Sequence, residues 1–145
     1  MAVVHGTYDA VLPFSQPFAG ALTTHALLHG MPGTIASRVA TIARALECGA
    51  PFYATLGSAS DPRFGRGKRF GPTTFAPMEG SERGVVHTYF DAADARTLFG
   101  AFEIESLEQV GGGRSIGHWA HDATESAEIV HWYLRATSRP KTPLD

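Results

Sequence analysis

The sequence predicts an α/β domain with a largely parallel sheet whose last two strands run antiparallel. Three observations carry this. Residues 18–57 read as strand, helix, strand with the helix as crossover, an arrangement that strongly favours right-handed parallel pairing. A second helical stretch, Asp91–Phe99, precedes another extended run. The two final extended runs, Phe102–Leu107 and Ile129–Ala136, are joined through Gly111–Gly113 with no helical pattern between them, and strands joined without a crossover lie antiparallel.

The elements follow from local chemistry. Ala2–Gly6 is too short to assign, and Thr7–Pro17 carries two prolines and reads as loop, with Leu12 and Phe14 as anchors. Phe18–Thr23 is an apolar run of strand length. Thr24–Gly30 connects it to Pro32, Gly33 and Thr34, which supply helix-start chemistry, Thr34 offering an N-cap hydroxyl. Ile35, Val39, Ile42 and Leu46 recur at spacings of 4, 3 and 4 and share one helix face. Gly49 is placed to end that helix in the left-handed conformation. Phe52–Leu56 is the second strand, closed by Gly57. Ser58–Gly84 holds no helical or strand period; a connection of that length is a functional loop or a surface excursion. Val85–Phe90 is a short extended piece, and Asp91 and Gly100 bracket the second helix. Phe102–Leu107 alternates and then drifts, as a strand exposed on one side does, and Ile129–Ala136 is rich in aromatic and β-branched residues. Ser138–Asp145, with two prolines, reads as a loose tail.

Composition bounds the function classes. The 145 residues suit one domain, and 43% apolar with 18% charged residues is an ordinary globular profile. A formal net charge of −2 gives no case for a nucleic-acid or anionic-membrane partner. Cys48 is the only cysteine, which excludes an internal disulfide and a cysteine-based zinc cluster. No apolar run approaches the ~18–20 residues of a spanning helix, and the N-terminus lacks the pattern of a signal peptide. A cytoplasmic location is expected. In the Ser58–Gly84 stretch, Arg63, Arg66, Lys68 and Arg69 offer anion recruitment, but Asp61, Glu79 and Glu82 dilute that charge.

Four passages carry a family resemblance: Leu12-Pro13-Phe14 followed by Phe18, a strand and Leu27-Leu28-His29; the helix ending at Leu46, then Gly49 and the Phe52–Gly57 strand; His87-Thr88-Tyr89-Phe90, the Asp91–Phe99 helix and Phe102-Glu103-Ile104; and a late strand with His131-Trp132. In this order the chain, from about Thr7 onward, resembles the C-terminal part of a class I S-adenosylmethionine-dependent methyltransferase. The resemblance implies a partial Rossmann-like sheet, strands 4-5-7-6 in the family's own strand numbering, with an antiparallel last strand. It implies S-adenosylmethionine as cofactor and methyl transfer to a small-molecule acceptor. It departs from the family in two places: no strand here ends in the Gly-rich turn that wraps the methionine part, and the acidic residue that holds the ribose is missing. The resemblance therefore implies a domain that is incomplete as a stand-alone enzyme. The alternative is a non-catalytic remnant that forms a homodimer through Phe18–Thr23, left as an exposed edge strand.

Candidate site residues follow. By resemblance Tyr8 and Asp9 meet the adenine ring; their bland reading is a surface tyrosine and a turn-capping aspartate. Thr24, His25, Leu28 and His29 end the first full strand, where open α/β sheets bind ligands, and are assigned to the cofactor. His25 and His29 have a metal-capable spacing only on a helix, and no Glu follows His25 as in the metalloprotease motif, so no metal site is expected. His87, Tyr89, His118, Trp119, His121, His131 and Trp132 concentrate histidine and aromatics in the second half. A neutral histidine suits proton removal from an acceptor, and aromatic faces suit a sulfonium cation. His87 and His118 are the catalytic candidates; for the rest, core and hydrogen-bonding roles suffice.

Overall fold

The computed structural model describes residues 5–6, 14–111 and 129–140. Along the chain lie β1 (Ala21–Thr23), α1 (Pro32–Ala45), β2 (Pro51–Ser58), β3 (Lys68–Arg69), β4 (Thr74–Ala76), β5 (His87–Phe90), α2 (Ala92–Leu98), β6 (Phe102–Val110) and β7 (His131–Ser138). They form one seven-stranded sheet in the order β3-β4-β5-β2-β7-β6, with β1 also on β2. The predicted 4-5-7-6 succession is present as β1-β2-β7-β6, and both pairings of β7 are antiparallel.

β2 is the spine. Along one edge it pairs with β7 from Pro51 to Gly57. Its other edge is shared: β1 pairs in parallel with Phe52–Ala54, and β5 in parallel with Gly57 and Ser58. The β5 approach is close at Gly57, where a Cβ would meet the Thr88 carbonyl oxygen at 3.1 Å and the Tyr89 ring at 3.3 Å. Alternation along β2 puts Phe52, Ala54 and Leu56 on one face, and both helices pack there. Ile35 and Val39 from α1 and Ala95 from α2 join Phe99, Phe102, Leu134 and Ala136 in a single buried cluster.

Several sequence expectations shift. Only Ala21–Thr23 of the Phe18–Thr23 run is strand. Phe18 is tied instead to the end of α1: its amide donates to the Ala45 carbonyl, and its own carbonyl accepts from the Glu47 amide. The N-cap of α1 is Met31, with Pro32 in the first turn and Thr34 inside the helix, so no hydroxyl caps it; proline's fixed φ starts the helix. Gly49 does take a positive φ of 77° but in the turn after the helix, where the Ala50 amide donates to the Glu47 carbonyl. The Ser58–Gly84 stretch, read as structureless, contains the β3–β4 hairpin, which carries the sheet on past β5. These strands are two and three residues long, too short to leave a period. The drift in Phe102–Leu107 has a structural cause: between Ile104 and Ser106 the register slips, leaving Glu105 as a bulge. β7 begins two residues later than expected: the Val130 amide donates to the Asp61 carboxylate, and only the Val130 carbonyl meets β2, accepting from the Ser58 amide. α2 keeps its predicted cap, with the Asp91 carboxylate accepting from the Asp94 amide. Among the described residues no helix is long and apolar enough to cross a membrane.

Candidate functional site

The site forms where the chain leaves β1 and β2 and enters β5. After Thr23 the chain turns sharply. His25 takes a positive φ of 55°, and its amide donates to the Thr55 hydroxyl at 2.6 Å. This turn swings Leu27 and Leu28 into the core, 0% and 3% exposed, and lays residues 28–30 against the start of β5. The Thr88 amide donates to the Leu28 carbonyl, the Gly30 amide to the Val86 carbonyl, and the Thr88 hydroxyl to the Gly30 carbonyl. His29 and His87 therefore face each other across an antiparallel bridge, with ring centroids 4.8 Å apart. Arg38 on α1 fixes the strap from the other side, donating to the His29 carbonyl at 2.7 Å.

Glu82 reaches the Nε2 atoms of both rings. Its carboxylate is 3.6 Å from His29 Nε2, 3.3 Å from His87 Nε2 and 3.5 Å from Arg63 Nη1. Arg63 is gripped by Asp61: Nε and Nη2 donate to the two carboxylate oxygens at 2.8 and 3.0 Å. Asp61 is buried and also accepts from the amides of Arg63 and Val130, tying the end of β2 to the start of β7. Burial alone would raise the Asp61 carboxyl. The Arg63 guanidinium, through its hydrogen bonds and its charge, and the Val130 amide reverse that and hold it below the usual carboxylate range. Arg63 and Glu82 line a cleft of about 490 Å³ with Tyr89, Phe75 and Met78. Burial pushes the Tyr89 hydroxyl up to about 12, so it stays neutral at physiological pH.

No protein-family model and no curated protein matches the chain in sequence. Solved structures match in shape. A S-adenosylmethionine-dependent methyltransferase of Methanosarcina mazei superposes with a TM-score of 0.69 at 15% identity, over 94% of this chain and 66% of its own. One from Mesorhizobium loti gives 0.58 at 17%, over 91% and 67%. The 1,6-didemethyltoxoflavin-N1-methyltransferase of Burkholderia thailandensis, solved with bound 1,6-didemethyltoxoflavin and S-adenosylhomocysteine, gives 0.57 at 14%, over 89% and 47%. The fold is a partial methyltransferase Rossmann fold. The chain spans about half to two thirds of the length of these structures.

Within this methyltransferase fold the predicted residues separate. His29 and His87 come together at Glu82, which lines the cleft. His25 turns away and packs edge-on against His131, with centroids 4.9 Å apart. Thr24 lines a separate, smaller hollow with Leu22, Tyr53 and Tyr133. Leu28 is a packing residue. Tyr8, Asp9 and His118 lie outside the described residues. Sequence reasoning treated Glu82 and Asp61 only as charges that dilute a basic loop. The Asp-Pro-Arg run at 61–63, directly after a buried strand end, is the local signal for an aspartate held by its own neighbour; nothing local marks Glu82.

Proposed function

We propose that this chain forms the acceptor side of a S-adenosylmethionine-dependent methyltransferase acting on a small molecule, with the Gly-rich part of the cofactor site supplied by further chain. One observation carries the reading: the strand ends of a methyltransferase-type sheet open on a cleft with aromatic walls and a carboxylate. The residues present fit part of the cofactor. Tyr89 and Phe75 offer ring faces and Glu82 a negative charge, a combination that favours a sulfonium cation. When bound, the cofactor supplies an electrophilic methyl group. The chain's own residues orient the acceptor and exclude water. Glu82 is the group at the cleft wall that can hold the proton leaving an acceptor. His87, 1% exposed, reaches the cleft only through Glu82.

Amide NMR spectra titrated with S-adenosylhomocysteine test this. Shifts are expected at residues 24–29 and 82–89, with weak affinity for the chain alone. A titration to the ligand's solubility limit that leaves both segments unmoved overturns the proposal.

A second reading, a non-catalytic homodimer, is favoured by β1. Its outer edge pairs with no strand among the described residues, and Leu22 is 73% exposed. Analytical ultracentrifugation showing a tight dimer, together with no cofactor shifts, would select it.

A further inference from the structure

We propose that His29, Glu82 and His87 form a binding site for a divalent transition-metal ion of the zinc class. The inference stands on this cluster and does not rest on the methyl-transfer reading. The donor atoms lie within 4.8 Å of one another. Two nitrogens and one carboxylate oxygen are a zinc donor set, and three protein ligands leave a position for water or a substrate oxygen.

The geometry of the contacts is the argument. His87 is 1% exposed, and its Nδ1 is 2.9 Å from the Val85 carbonyl. A carbonyl only accepts, so Nδ1 carries a proton, which leaves Nε2 as the nitrogen whose lone pair a metal ion would take. That lone pair lies 3.3 Å from Glu82 Oε2, yet Nε2 is buried without a hydrogen-bond partner among the described residues. An imidazole nitrogen and a carboxylate oxygen this close, without a hydrogen bond between them, are spaced as adjacent ligands of one ion are. With Zn–N and Zn–O bonds near 2.0–2.1 Å, ligand atoms on a tetrahedron are about 3.3–3.4 Å apart. The contact of His87 Nε2 with Glu82 Oε2, 3.3 Å, matches that edge, and His29 Nε2 lies 3.6 Å from the other oxygen, Oε1, of the same carboxylate.

The surroundings fit as well. The Val85 carbonyl orients His87 as a backbone carbonyl orients metal-bound histidines elsewhere. The His29–His87 bridge and the Arg38 bond to the His29 carbonyl fix the second ring's backbone. Arg63 approaches Glu82 at 3.5 Å, but Asp61 engages its guanidinium with both oxygens, so the Asp61–Arg63–Glu82 group keeps a net negative charge.

The test is titration of zinc chloride into untagged, chelator-treated full chain, followed by calorimetry, with cobalt(II) absorption as a second readout. One ion per chain at micromolar affinity or better is expected, with the cobalt d–d bands of low coordination number. His29→Ala and Glu82→Gln, both away from the dry core, are each expected to weaken zinc by more than the roughly 10–100-fold that losing a supporting contact costs. His25→Asn, a histidine outside the cluster, is expected to leave affinity unchanged. Absence of binding tighter than high micromolar, or affinity that survives both His29→Ala and Glu82→Gln, overturns the proposal.

Discussion

The two faces of the sheet are built from the same strands and are treated in opposite ways. On one face Phe52, Ala54 and Leu56 of β2 lie beside Leu134 and Ala136 of β7, beneath α1 and α2. The rings of Phe52, Phe99 and Phe102 pack within 6.3 Å, centroid to centroid. On the other face the alternate residues are Tyr53 and Thr55 of β2 and Tyr133 and Arg135 of β7. Tyr53 is 43% exposed, and Leu22 beside it is the most exposed large apolar residue described. Both described helices sit on the first face. Among the described residues the second carries Tyr53, Tyr133 and Arg135, side chains with a polar tip on an apolar body that tolerate water without requiring it, while Thr55 is buried. Folding stability is therefore concentrated on the helix-covered face, while the open face has the composition of a surface that something could cover.

The largest expected effect tests that asymmetry directly. Phe52→Ala removes a ring with 0% exposure from the covered face and is expected to cost about 3–5 kcal/mol, read from urea unfolding. Tyr53→Ala, one residue along and on the open face, is expected to cost far less. Equal losses would mean that the open face is packed in solution.

Somewhat smaller is the effect of the pair that joins the faces at the strand ends. Asp61→Asn leaves Arg63 without its carboxylate and is expected to cost about 3 kcal/mol, as loss of one partner of a buried pair does. The sign with pH follows from the lowered Asp61 carboxyl. Its stabilisation is fully present above the ordinary carboxylate range, near pH 4, and is lost as pH falls through the lower folded value. Wild-type protein should lose stability below about pH 4 more steeply than Asp61→Asn. Parallel curves would show that the Asp61–Arg63 pair contributes nothing to the folded state.

What the sequence made legible divides along the same line. The covered face left a period: Ile35, Val39, Ile42 and Leu46 placed α1, and Asp91 capped α2, because helix-facing residues repeat and caps are local. The succession β1-β2-β7-β6 was legible through resemblance. The β3–β4 hairpin was not, since strands of two and three residues carry no alternation. The site was half legible. His29 and His87 were both singled out, but they lie 58 positions apart and only the bridge of residues 28–30 onto β5 makes them neighbours. Glu82 was invisible because its role depends on His29 and Arg63, which are distant in sequence, as well as on nearby His87.

On the open face itself the expected effects are small. Arg135→Ala breaks an ion pair with Glu105 at 2.6 Å, but both side chains are well exposed, so a loss of about 0.2–1 kcal/mol is expected, shrinking further in high salt. A loss that ignores salt would show that the pair is covered.

The smallest effect is the most discriminating. Leu22→Ser changes a side chain that is 73% exposed at the edge strand and should move the monomer's stability by no more than about 0.5 kcal/mol. That expectation holds only if the open face meets water. If a second copy pairs along β1, Leu22 is buried in the dimer, and the same substitution lowers the association constant while leaving the dilute-limit unfolding curve unchanged. Sedimentation of wild type and Leu22→Ser across a concentration series separates the cases. Identical monomeric profiles leave the bare face open, and a dimer lost only in the variant assigns it to self-association.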